Sequence, residues 1–132
     1  MKIITLKIIS LLIVTCSYAY ASNNCNVLQS DHEMNSCWSK EKNKAENDLN
    51  TEYANTKQRI LQAYTSHKAL LTQYNNILLD SQRGWLKYRN NQCELQAFIA
   101  EHGSAAYTSL IDECIVHINR ERVMQLKSMP YE

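Results

Sequence analysis

Glycine and proline are almost missing from this chain, with two Gly and one Pro in 132 residues against ordinary usage of ~7% and ~5%. Hairpins depend on glycine-type turn residues, and nucleotide-binding loops depend on glycines. Composition therefore speaks against a β-sandwich, a dinucleotide fold and a P-loop. An excess of one charge is also lacking. The 14 Lys+Arg face 13 Asp+Glu, which leaves no electrostatic footprint for nucleic acid. Metal-ligand spacing is absent as well: Cys25, Cys37, Cys93 and Cys114 are 12, 56 and 21 residues apart, and His32, His67, His102 and His117 are scattered. No Ser-His-Asp or Cys-His set can be assembled, so neither a cofactor nor an enzyme is implied. What remains is one all-helical domain.

The only long apolar run lies at the start. Lys2 and Lys7 precede Ile8–Val14, and Ala19-Tyr20-Ala21 supplies the small-x-small pattern of a cleavage site. The run is too short for a ~20-residue span, so no stable membrane span is expected. Residues 1–21 read as a signal peptide and 22–132 as the exported domain, periplasmic or secreted. A lipoprotein attached through Cys16 is the weaker alternative, because Thr15 fits poorly before a lipidated cysteine. Lys2 and Lys7 leave with the leader, so 12 of the 14 basic groups remain against 13 acidic ones.

Four cysteines then remain, an even number in a small exported chain, which reads as two disulfides. Helical patterning is strong. Ser30 and Glu33 form a capping box. From there Met34, Trp38, Ala45, Leu49, Tyr53, Ile60 and Tyr64 recur at steps of four or seven along a helix roughly 50 Å long. A second stripe runs through Leu70, Tyr74, Ile77, Trp85, Tyr88, Leu95 and Ile99. Gly103 supplies a stop and Ser104 a cap for a third helix carrying Tyr107, Leu110, Cys114, Ile118 and Leu126. The first turn is placed near Thr65-Ser66-His67 on length, with Asn75-Asn76 as the alternative. The expected fold is a long antiparallel helical hairpin plus a third C-terminal helix, stapled by two disulfides.

Counting outward from the turns gives levels. Asn50 is level with Gln82 and Tyr53 with Leu79, while Cys93 and Cys114 are level about Gly103. Cys93–Cys114 with Cys25–Cys37 is the favoured pairing. Cys37–Cys93 is also compatible with the first turn.

Several pieces form a longer pattern: Asp48-Leu49-Asn50-x-x-Tyr53, then Ser81-Gln82-Arg83-x-Trp85-Leu86-x-Tyr88-Arg89-x-x-x-Cys93, then Gly103-Ser104, then Cys114 with Arg122 and Leu126. In these residues, and over nearly all of the chain after the leader, the sequence resembles the lysozyme inhibitor LprI-like N-terminal domain family of small exported bacterial helical proteins. Asn119 departs from the usual Thr, and the stretch between Tyr53 and Gln82 is longer than usual. The resemblance implies a binding module with a lysozyme-type muramidase as partner. The alternative is an envelope structural or stress-related protein.

The pattern residues Asp48, Asn50, Tyr53, Gln82, Arg83, Trp85 and Arg89 fall at similar heights on two helices. They are expected to form a buried polar seam, with Asp48 and Asn50 bonded to Gln82 or an arginine. The competing reading is a partner site, since Arg and Trp are common interface anchors. Trp85 and Tyr88 are assigned to the core, and Gly84 to a close approach beside Trp85. Asp48 and Glu52 read as a solvated carboxylate pair, and Glu41 and Glu46 as surface partners of nearby lysines.

Overall fold

Ser30 opens helix α1, Asp31–Ala63, with its Oγ accepting the Glu33 N–H at 3.2 Å. The Glu33 carboxylate accepts from Ser30 Oγ instead of reaching the cap's own N–H. The computed structural model describes residues 24–131, so the expected leader, its cleavage site and Cys16 lie outside the described residues. A single 3-10 turn, Cys25–Val27, precedes α1. Tyr64 to His67 form the first turn and helix α2 follows, Lys68–Ala97. The turn falls where length placed it, and Asn75-Asn76 lies inside α2. That helix stops at Ala97, ahead of the expected stop at Gly103. Gly103 serves the connection instead, at φ +82°, where a side chain would be strained. Ser104 Oγ then accepts the Tyr107 N–H at 3.1 Å and opens α3, Ala105–Lys127.

The expected three-helix fold is present, with no strand among the described residues, but α3 rather than α2 is the main neighbour of α1. Helix α3 lies along most of α1 and also against α2, whereas α1 and α2 touch only narrowly. Direct register between α1 and α2 is therefore not what joins them. Asn50, expected at the seam, is exposed, and so is Leu79, expected level with Tyr53. Two apolar clusters make the core. One holds Cys25, Trp38, Ala45 and Val116; the other holds Leu49, Ile60, Leu78, Leu126 and Met129. Each fully buried aliphatic or aromatic side chain contributes ~1.5–3 kcal/mol.

Both favoured disulfides are present. Cys25–Cys37 pins the N-terminal segment to α1, and Cys93–Cys114 joins α2 to α3, with Cα separations of 5.7 and 5.4 Å. The α1 stripe is buried or half-buried throughout. The α2 stripe is not: Leu70, Ile77, Tyr88, Leu95 and Ile99 face solvent. The inward face of α2 is instead Leu71, Tyr74, Leu78, Gln82, Trp85, Arg89, Cys93 and Ala97. Periodicity identified an apolar line, but α3 takes up the neighbouring line, on which two polar residues are buried.

Gly84 is a further correction. A Cβ built there meets nothing within 4 Å, so no close approach within this chain requires glycine. Gly84→Ala should therefore raise the stability of dilute protein by ~1 kcal/mol, seen as a melting point a few degrees higher. Replacing Cys93 and Cys114 together with Ala should cost ~3 kcal/mol in urea unfolding, because the closed loop constrains the denatured chain.

Candidate functional site

The Gln82-Arg83-x-Trp85-x-x-Tyr88-Arg89 segment occupies the middle of α2, and its members divide between two environments. Gln82, Trp85 and Arg89 turn inward, whereas Arg83 and Tyr88 stay on the surface. Tyr88 is 57% exposed, against its expected place in the core.

Arg89 is buried and reaches both other helices. Its Nη1 donates to Glu46 Oε1 on α1 at 2.8 Å and to Asn119 Oδ1 on α3 at 2.9 Å. Its Nε and Nη2 donate to Asn90 Oδ1 beside it. Arg122 on α3 points back toward α2. There Nε donates to Gln82 Oε1 at 3.0 Å, Nη2 to Ser81 Oγ at 3.1 Å, and Nη1 to Gln125 Oε1 on its own helix at 2.9 Å. The two guanidiniums flank the Trp85 ring, 5.5 and 5.6 Å from its centroid. Contacts of this kind are worth ~0.5–2 kcal/mol, more when desolvated. Arg122 has no carboxylate among these partners. Burial pulls its pKa below the ordinary arginine value, while Tyr131 and Tyr53 push the other way. The group nevertheless stays charged at any physiological pH.

A polar seam therefore exists, with a different membership from the one expected. Asp48 and Asn50 are exposed and take no part. Leu49 between them is buried, and Tyr53 packs half-buried against the same apolar cluster, with Lys57 over its ring. Glu52, read as solvated, is buried and accepts from Arg59 Nη2 at 2.8 Å; the same guanidinium also donates to the Leu126 and Met129 carbonyls. Glu41 and Glu46, read as partners of nearby lysines, pair across helices with Arg120 and Arg89. Lys42 pairs with the buried Asp112 of α3. Glu46 and Asn119 were the members missed. The available signal was spacing: Glu46 adjoins the buried Ala45–Leu49 line, and Asn119 lies three residues after Val116 and seven before Leu126.

Every guanidinium nitrogen of Arg89 and Arg122 donates a hydrogen bond within the seam or beside it. Among the described residues no three His, Cys, Asp or Glu side chains converge as metal ligands. Asn119 Nδ2 and Asn75 Oδ1 are buried without a hydrogen-bond partner.

Trp85 is only half-buried, so Trp85→Ala should cost ~2–3 kcal/mol, below the ~3–5 kcal/mol of a fully enclosed tryptophan. Arg89→Met should cost ~2–4 kcal/mol, because it strips Asn119 of its remaining partner inside the core. Adding Asn119→Val should return part of that loss. Urea unfolding of the three variants checks both expectations.

The comparisons agree with this geometry in extent. A segment of 52 residues is 38% identical to an uncharacterized protein of Rhizobium meliloti (strain 1021), covering 39% of this chain and 37% of that protein. The chain thus matches little more than a third of that relative's length. No solved structure matches. Residues 21–126 match the family described as lysozyme inhibitor LprI, a span that takes in both disulfides and all three helices up to the last turn of α3. The chain belongs to the lysozyme inhibitor LprI family.

Proposed function

We propose that this protein is an exported, non-enzymatic binding module that inhibits a lysozyme-type muramidase. The observation that carries the reading is the family match over residues 21–126. Two features are in keeping with it. The disulfides suit an oxidising compartment outside the cytoplasm. No helix among the described residues is long and apolar enough to cross a membrane. A rigid body with exposed Arg and aromatic side chains also suits docking, since little ordering is needed on binding.

Among the motif residues Arg83 is the outward-facing cation, exposed and without a hydrogen bond or ion pair among the described residues. It is the motif residue we assign to the partner. The division of the motif favours one other reading. Gln82, Trp85, Arg89 and Arg122 are engaged internally, so a scaffold role in the envelope would account for them without any muramidase.

An activity assay with the oxidised protein and muramidases of several classes tests the proposal. Inhibition of at least one class is expected. Arg83→Ala should leave the melting point within about 1 °C while raising the inhibition constant at least ~10-fold, as for an interface anchor. Full activity of every class would leave the scaffold reading in its place.

A further inference from the structure

The exposed line on α2 is continuous. Leu70, Ile77, Gly84, Tyr88 and Leu95 follow one another at steps of seven or four, the repeat of a single helical stripe, and Ile99 stands two residues beyond the end of α2. Their exposures are 49% for Leu70, 63% for Ile77, 57% for Tyr88, 69% for Leu95 and 87% for Ile99. Together they present on the order of 600 Å² of apolar surface, at the top of what a monomer usually shows. With its polar rim the stripe approaches the ~800 Å² per partner of a stable interface.

We infer that this stripe is a homodimer interface, in which α2 of one copy pairs antiparallel with α2 of a second copy, crossing at Gly84. Three observations select a second copy as the occupant. Gly84 weakens the helix and packs against nothing among the described residues, since a Cβ there meets nothing within 4 Å. A neighbouring helix crossing at that point would make use of the missing side chain. The flank of the stripe is self-complementary. Asp80 and Lys87 share one edge of the helix, are exposed, and make no ion pair among the described residues. Their midpoint lies half a residue from Gly84. The two-fold axis that sets Gly84 against Gly84 therefore brings Asp80 of each copy within one residue's rise of Lys87 of the other. The apolar side chains also interleave about that axis. Ile77 falls between the levels of Tyr88 and Leu95 of the second copy, as a knob falls into a hole. A near-neutral chain adds no long-range repulsion to the pairing.

This inference does not depend on the muramidase reading, because its test contains no enzyme. Sedimentation velocity of the oxidised protein purified after export should show a concentration-dependent shift to twice the chain mass. Gly84→Leu should leave helix content intact and weaken the dimer at least ~10-fold, since a side chain now occupies the crossing. Asp80→Lys should weaken it by a similar factor, and adding Lys87→Asp should restore it to within ~3-fold of the parent. Both positions are exposed, so circular dichroism of each variant should match the parent. A single monomeric mass up to about 1 mM would overturn the inference. So would a dimer indifferent to Gly84→Leu, or one that the charge exchange fails to restore.

Discussion

One guanidinium holds the bundle in register. Arg89 on α2 donates to Glu46 on α1 and to Asn119 on α3, so all three helices meet at a single buried group. It sits where one apolar cluster gives way to the other, between Ala45 and Leu49 on α1 and between Val116 and Leu126 on α3. Apolar packing is non-directional and would tolerate a helix slipping by a turn. A buried charge does not tolerate it. Sliding α2 by one turn would carry Arg89 away from both acceptors and leave a cation without its partners in the interior, which costs several kcal/mol. The apolar clusters supply most of the stabilisation, and the polar contact supplies the alignment.

Trp85 makes that alignment compatible with a second buried cation. Arg122 has only neutral acceptors, Gln82, Ser81 and Gln125, which is an expensive way to bury a charge. Both guanidiniums lie over the indole ring, whose negative π-face offsets part of the cost of burying them. Gln82 and Ser81 then tie α2 to α3 seven and eight residues ahead of Arg89. The Cys93–Cys114 bridge fixes the same pair of helices beyond it. Helix α2 is thus fastened to α3 at three levels, while its contact with α1 is narrow apart from Arg89.

Local signals carried the element boundaries, because caps and turns act within a few residues. Ser30, Ser104 and Gly103 act where their chemistry requires. Counting levels favours Cys93–Cys114, because chain length fixes how far both lie from their shared turn, but the same count also allows Cys37–Cys93. The packing order was not legible. Helix α3 buries Ser109, Asp112, Asn119 and Arg122, polar residues that a hydrophobic pattern counts as surface, so nothing marked it as the central element. The recognised segment was legible as a unit, but its division was not. Counting heights from the first turn relates α1 to α2 alone and so sets Asp48 and Asn50 opposite Gln82. With α3 present, Gln82 meets Arg122 and the α1 polar residues turn to water.

The same displacement explains why α2 has two distinct faces. A helix of 30 residues that is held by one neighbour needs only one inward line, and the Leu71–Ala97 line fills that role with Leu78, Gln82, Arg89 and Cys93. The adjacent line through Ile77, Tyr88 and Leu95 is equally apolar and has no counterpart in its own chain. Exposed leucine or isoleucine occurring singly needs no explanation, but a continuous line nearly as long as the helix does. Stability and surface chemistry are therefore carried by different side chains of one element. Substitutions on the inward line act on folding through Arg89 and its partners. Substitutions on the outward line leave those contacts untouched, so the surface of α2 can change its association without loosening the bundle that supports it.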